Sequence, residues 1–165
     1  MTCAIALPFG TRSTLVAVDS SSVDGSWRGR ASKLFRVEDT LIAGSGAVAE
    51  IQHVIRAWAK DNTRSLDTLA EVIRAQKCEE LELLVVRPRR VICLIDESGG
   101  ISLPLQSFEG VGSGRDTAIG YMGARLEQRR ARITKAQAAD LALACLRYVS
   151  KTCEGVSAPF SCDSV

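Results

Sequence analysis

Thr2-Cys3-Ala4-Ile5-Ala6-Leu7 is followed, after the turn cluster Pro8-Phe9-Gly10-Thr11-Arg12, by Ser13-Thr14-Leu15-Val16-Ala17-Val18-Asp19. This stretch decides the fold. Two β-rich runs around a Pro- and Gly-bearing turn read as a hairpin. The first run places a threonine directly behind Met1. Methionine aminopeptidase removes an initiator Met that precedes a small residue, so the mature chain is able to begin at Thr2. An N-terminal threonine carries a β-hydroxyl and an α-amine, and the amine's pKa of about 7.7–8.0 suits it to act as a base near neutrality. Position 2 alone carries little weight, because many chains begin Met-Thr without catalytic consequence.

Outward from the hairpin, Ser20-Ser21-Ser22-Val23-Asp24-Gly25-Ser26 reads as a polar loop, and Leu34-Phe35 with Thr40-Leu41-Ile42-Ala43 as a second hairpin. Past Gly44-Ser45-Gly46 the period changes. Val48, Ile51, Val54, Ile55 and Trp58 fall at helical spacing and predict a helix over 47–60. Ser65 caps a second helix that carries Leu66, Leu69, Val72 and Ile73. Residues 81–86 and 91–95 flank Arg87-Pro88-Arg89-Arg90 as a further hairpin, and Asp96 to Gly100 turns the chain toward Ile101-Ser102-Leu103. Gly110-Val111-Gly112-Ser113-Gly114 leads into a helix through Ala118, Tyr121, Met122 and Leu126. Thr134-Lys135-Ala136-Gln137 has the form of a capping box opening a helix over 135–151, and the tail, 156–165, holds one last strand. Strands and helices in segregated blocks predict an α+β layered domain rather than alternating βαβ units. No linker or repeat divides the 165 residues, so one domain over 1–165 is expected.

Composition excludes several classes. With 46% apolar and 24% charged residues the chain has the balance of a globular domain. A net charge of +2 gives no nucleic-acid footprint, and no run approaches the ~20 apolar residues of a membrane span. Six cysteines without a Cys-x-x-Cys pair, and His53 as the one histidine, make a poor metal site; neither metal nor cofactor is expected. Arg12 and the charge at Asp19 interrupt the first apolar run, so no secretory signal is read and reduced thiols in the cytoplasm are expected.

An N-terminal nucleophile needs a nearby positive charge, backbone donors facing the oxyanion, and polar groups that orient the amine. Asp19 ends the strand beside Thr2, and Lys33 opens the next one. A partly buried Lys paired with Asp can stabilise a developing oxyanion. Gly46 sits where a strand passes into a helix, with free N–H groups and room for a carbonyl. Singly, each has an ordinary explanation: a surface ion pair, a strand-to-helix turn.

Taken together, Thr2, Ala17-Val18-Asp19, Arg30-Ala31-Ser32-Lys33-Leu34 and Ile42-Ala43-Gly44-Ser45-Gly46-Ala47-Val48-Ala49-Glu50 resemble the proteasome β-subunit superfamily of threonine peptidases. Gly112-Ser113-Gly114 and Glu154-Gly155-Val156-Ser157 extend the resemblance over most of the chain. In length the chain is nearer to compact bacterial members, such as the peptidase of HslUV, and to bacterial or phage homologues. The resemblance implies a four-layer αββα sandwich of the N-terminal-nucleophile hydrolase type. It implies Thr2 as nucleophile once Met1 is removed, Lys33 held by Asp19, and Gly46 in the oxyanion hole. Ser113, Glu154 and Ser157 would position the amine, with Glu154 one methylene longer than the family's Asp. Val23, Ala31, Gly44 and Val48 match positions lining the specificity pocket, and their small size suggests a roomy apolar pocket. Also implied are homo-oligomeric, stacked rings, an ATP-dependent unfoldase as partner, and unfolded proteins or peptides as substrates, with no nucleic acid or membrane.

Two other readings stay open: a non-catalytic ring-forming scaffold, and an N-terminal-nucleophile amidase acting on a small molecule. Gly110-x-Gly112-x-Gly114 lacks the spacing and the distant acid of a dinucleotide site. His53 has no nucleophile elbow to serve and reads as a solvated helix residue. Arg125, Arg129, Arg130 and Arg132 read as a solvated helix end, since nucleic-acid binding would want interleaved aromatics.

Overall fold

The computed structural model describes residues 2–24, 27–104, 107–127 and 132–165, with the backbone alone for the strands within 21–30. The first hairpin forms as the alternation requires: β1 (Ala4–Phe9) and β2 (Ser13–Asp19) pair antiparallel, Ala4 opposite Val18. The stretch expected to be a polar loop instead forms a two-stranded hairpin, β3 (Ser21–Asp24) and β4 (Trp27–Arg30). Serine-rich composition suggested a loop, but strand propensity is a weak guide because the ladder is made by backbone pairing. β5 (Leu34–Val37) and β6 (Thr40–Ser45) pair next, followed by α1 (Val48–Ala59) and α2 (Leu66–Gln76).

The second half repeats the order. β7 (Glu82–Arg87), β8 (Val91–Asp96) and the short β9 (Ile101–Ser102) continue one sheet, and β10 (Glu109–Val111) returns to the other. α3 (Arg115–Leu126), α4 (Lys135–Thr152) and β11 (Phe160–Ser164) close the chain. Ser65 caps α2 by accepting the Thr68 N–H, and Thr134 with Gln137 forms the expected capping box at α4. In the sequence, Gly110 to Gly114 reads as the lead into a helix, with no strand expected at 109–111, where β10 forms. Gly110 belongs to the strand because a Cβ there would lie 2.9 Å from the Ala4 carbonyl oxygen, so only glycine lets β10 lie this close to β1.

Besides the β3–β4 hairpin, two larger antiparallel sheets form among the described residues, in the orders β10-β1-β2-β11 and β5-β6-β7-β8-β9. The period-2 alternation of each strand sorts its residues into separate cores. Cys3, Ile5, Leu7, Leu15 and Ala17 pack under α3 and α4. Ile42, Leu83, Val85, Cys93 and Ile95 pack under α1 and α2, around the buried Trp58. The intervening residues, Ala4, Ala6, Val16, Val18, Leu41, Ala43, Leu84 and Val86, meet between the sheets. The architecture is therefore α+β with four layers, helix–sheet–sheet–helix. Each fully buried Leu, Ile or Val contributes about 1.5–3 kcal/mol, and three cores of them leave room for a few costly polar residues. Of those, Thr2, Asp19 and Lys33 lie at one end of the sandwich.

Candidate active site

Thr2 stands at the mouth of β1 with the parity of Ala4 and Ala6, which face the opposite sheet. It is 1% exposed. Cys3, with the opposite parity, packs under the helices as expected. Asp19, at the end of β2, grips the start of β1 twice. Its N–H donates to the Cys3 carbonyl at 3.1 Å, and its Oδ1 accepts the Cys3 N–H at 2.9 Å. The same carboxylate accepts from Lys33 Nζ, at 3.4 Å on Oδ1 and 3.3 Å on Oδ2. Asp19 is 0% and Lys33 3% exposed, so this is a buried ion pair. Taking two charges out of water costs several kcal/mol each unless their partners are well placed. Burial pushes the Lys33 ammonium below its ordinary 10.5, while the charge and hydrogen bond of Asp19 pull the other way.

A thiol beside the candidate nucleophile could be a rival to it. Burial instead drives the Cys3 pKa far above its ordinary 9.0, with Cys145, Asp19 and Cys153 adding to the rise and Lys33 opposing it. The thiolate is the reactive form, so Cys3 is chemically silent at neutral pH.

Gly46 lies between β6 and α1 with φ +119, and a Cβ there would meet the Glu80 carbonyl at 2.9 Å. Both facts demand glycine. The N-cap of α1, Ala47, has no side-chain hydrogen bond to offer, so the first turn of the helix is not capped from within. Gly112 is more constrained still. Its φ is +88, and a Cβ would fall 2.3 Å from the Thr2 carbonyl oxygen. That carbonyl accepts from Gly114 N at 3.3 Å and from Ser113 Oγ at 3.4 Å. The glycines that resemble a nucleotide loop thus serve to bring the 112–114 loop against Thr2.

Not every expected group converges. Ser113 reaches Thr2 through its carbonyl, not through its amine. Glu154 and Ser157 are exposed in the loop between α4 and β11, and neither is hydrogen-bonded to Thr2 among the described residues. Of the expected pocket residues, Gly44 is buried against Ile51, whose Cγ2 would lie 2.8 Å from a Cβ. Ala31 and Val48 are half-buried, and the side chain of Val23 lies outside the described residues. A cavity of about 730 Å³ does open beside Gly46, and its described lining does not include Ala31, Gly44 or Val48. Its walls carry Glu50, Glu79, Glu80 and Glu82 together with Gly112 and Ser113, so this cavity is acidic. No group of three or more His, Cys, Asp or Glu among the described residues is placed to hold a metal ion.

Glu82 is a participant that the sequence reading missed. Its Oε2 accepts the Gly112 N–H at 3.0 Å. The signal was present: it is the one charged residue in the apolar run 81–86.

Neither a family model nor a curated protein sequence matches the chain. Solved structures do. Eukaryotic HslV from Trypanosoma brucei superposes with a TM-score of 0.79 at 18% identity, covering 99% of this chain and 98% of that one. The fold is that of HslV. Thiobacillus denitrificans BPH, solved in complex with epoxomicin, follows at a TM-score of 0.78 and 18% identity, with 99% and 98% covered. The Anbu (Gly-1) mutant from Hyphomicrobium sp. strain MC1 gives 0.77 at 15% identity, with 98% of this chain and 80% of that one covered. The HslV-like architecture bears out the proteasome-type fold implied by the sequence motifs. At such identities the likeness carries the fold, and the chemistry must be argued from the residues.

Proposed function

We propose that this chain is a threonine-type endopeptidase subunit, with Thr2 as nucleophile after removal of Met1. The observation that carries the reading is the buried Asp19–Lys33 pair, bonded through the Cys3 N–H to the residue next to Thr2. A buried ion pair is poor value as a stabiliser, and its position beside the only residue able to offer both an amine and a hydroxyl supports a catalytic use. In the proposed reaction the α-amine takes the hydroxyl proton as Oγ bonds to the scissile carbonyl carbon. The Lys33 ammonium favours the developing negative charge, and the Gly46 N–H donates to the tetrahedral oxyanion. The carbon–nitrogen bond then breaks, the leaving amine takes the proton, and water hydrolyses the ester on Thr2. The HslV-like fold supports homo-oligomeric stacked rings, an ATP-dependent unfoldase as partner and unfolded polypeptides as substrates, in the cytoplasm. Among the described residues no helix is long and apolar enough to cross a membrane.

One observation favours a second reading. Among the described residues Glu154 and Ser157 make no hydrogen bond to Thr2, so the orienting contacts that the family resemblance implies are not made there. A non-catalytic ring-forming scaffold would tolerate that. Intact-mass spectrometry after treatment with a peptide epoxyketone separates the two. The peptidase loses Met1, gains one adduct at Thr2 and cleaves peptides, and Thr2→Ala does neither. Met1 loss with no adduct and no hydrolysis supports the scaffold, and full activity in Thr2→Ala excludes the proposed mechanism.

A further inference from the structure

Nucleophile and oxyanion donor come from different sheets. Thr2 precedes β1 in one, and Gly46 follows β6 in the other. Their separation is therefore set by whatever fixes one sheet against the other at this end. Van der Waals packing between the sheets is made of small and branched apolar residues, and these resist sliding weakly compared with directed polar contacts. The strand orders show how the register is held. In one sheet β1 lies between β10 and β2, and in the other β6 lies between β5 and β7. On the β2 side, Asp19 meets Lys33, which precedes β5. On the β10 side, Gly112, just past that strand, donates its N–H to Glu82, the first residue of β7, at 3.0 Å. Two cross-sheet links thus flank Thr2 and Gly46, one on either side.

We propose that Glu82 is a positioning residue, whose carboxylate holds the 112–114 loop to the second sheet and thereby sets Thr2 against Gly46. The inference rests on Thr2 being the nucleophile. Each end of the linkage is fixed. Glu82 is paired in the ladder opposite Ser45, the neighbour of Gly46. Gly112 packs so closely on the Thr2 carbonyl that no side chain fits between them, and Gly114 N and Ser113 Oγ donate to that same oxygen. A shift of Gly112 is consequently a shift of Thr2. A hydrogen bond to an ionised acceptor is roughly twice as strong as a neutral one, which suits a loop whose glycines give it little rigidity of its own. Among the described residues the Glu82 carboxylate is hydrogen-bonded to Gly112 and to neither Thr2 nor Gly46, so its effect is exerted through Gly112.

The test compares Glu82→Ala with Glu82→Gln, whose amide oxygen still accepts from Gly112. Glu82 is exposed, so both variants should fold. Three readouts are taken on the full chain: peptide hydrolysis, the rate of epoxyketone adduct formation at Thr2, and backbone hydrogen exchange over 110–116. In Glu82→Ala, kcat and the limiting rate of adduct formation should fall by roughly 10- to 100-fold, as expected of a misplacement near 1 Å. KM should change little, exchange over 110–116 should quicken, and Glu82→Gln should recover most of each loss. Wild-type kcat in Glu82→Ala overturns the role of Glu82, as does an equal loss in Glu82→Gln or a change confined to KM. A wild-type chain inert to substrate and epoxyketone, with Met1 removed, overturns the nucleophile reading itself, whatever exchange shows.

Discussion

The two ends of the sandwich are both tied sheet to sheet, yet they are built on opposite plans. At the Thr2 end the ties are carboxylates, Asp19 and Glu82, and the larger cavity is walled by glutamates. At the far end Arg90 donates across the sheets to the Phe9 and Gly10 carbonyls of the β1–β2 turn. A cavity of about 250 Å³ there carries Arg90 and Arg132. The Asp19–Lys33 pair of the Thr2 end is buried, and Gly46 and Gly112 there are crowded. At the far end the turn is open, and a Cβ on Gly10 would meet nothing within 4 Å. A stability device can be half-solvated and forgiving. An arrangement that removes an ion pair from water and forbids side chains at two loops asks for a different explanation, and positioning a reactive group supplies one.

The largest expected break in this contrast is at Lys33. Lys33→Ala leaves Asp19 buried without its cation, which typically costs about 3–5 kcal/mol, and removes the positive charge proposed to assist Thr2, for a loss in kcat of about 10²–10³-fold by analogy with losing a preorganised oxyanion donor. Thermal unfolding and peptide hydrolysis read the two effects. The pH profile sharpens the assignment. Lys33 must be charged to act, and burial holds its pKa below 10.5. Activity should therefore decline as pH rises through that depressed value, with the alkaline limb setting in below pH 10.5. Lys33→Arg, whose guanidinium stays charged, should lack that limb even if its rate is lower. A limb unmoved by this substitution would assign the titration to another group.

Second in size is a pair of glycine substitutions. Gly112→Ala combines a left-handed φ of +88 with a Cβ 2.3 Å from the Thr2 carbonyl. Strain of that kind costs about 1–3 kcal/mol, the overlap adds to it, and adduct formation at Thr2 should be abolished. Gly10→Ala also has a positive φ, +55, but open space around it. It should cost about 1 kcal/mol and leave the adduct rate unchanged. Equal effects of the two on reactivity would erase the distinction between the ends. Arg90→Ala comes third: losing hydrogen bonds from a charged donor should lower stability by about 1.5–3 kcal/mol without slowing the adduct.

How much of this was legible in the sequence follows from which interactions are local. The first hairpin, the helical face over Val48 to Trp58 and the capping box at Thr134 depend on period and on neighbours within four residues, and all formed as read. The pairing of Asp19 with Lys33 was readable because Asp19 ends one strand and Lys33 immediately precedes another, with only the β3–β4 hairpin between them. Glu82 and Gly112 stand thirty residues apart and meet only because two sheets stack, which no local pattern encodes. The same holds for the cavity. Glu50, Glu79, Glu80 and Glu82 come from α1, the segment after α2, and β7, and each alone reads as a solvated carboxylate. The expectation of an apolar pocket came from matching positions and concerned a different set of residues.

Those walls give the smallest expected effect. Four carboxylates beside Gly46 raise a negative potential where a bound peptide would lie. The groups are partly solvated, so each should act on a substrate charge several ångströms away with an energy of about 1 kcal/mol or less. Their sum should favour peptides bearing Lys or Arg near the cleaved bond over matched Asp or Glu peptides by roughly tenfold in kcat/KM, the equivalent of about 1.4 kcal/mol. Because the Debye length falls from about 10 Å at 0.1 M salt to about 3 Å at 1 M, the preference should shrink as salt is added. A fluorogenic panel at two ionic strengths reads both. Acidic peptides cut fastest would show that the cavity beside Gly46 does not face the substrate. A basic preference indifferent to salt would point instead to a direct, desolvated ion pair, and Glu50, the least exposed of the four and with one carboxylate oxygen buried and without a partner, is where that pair would form.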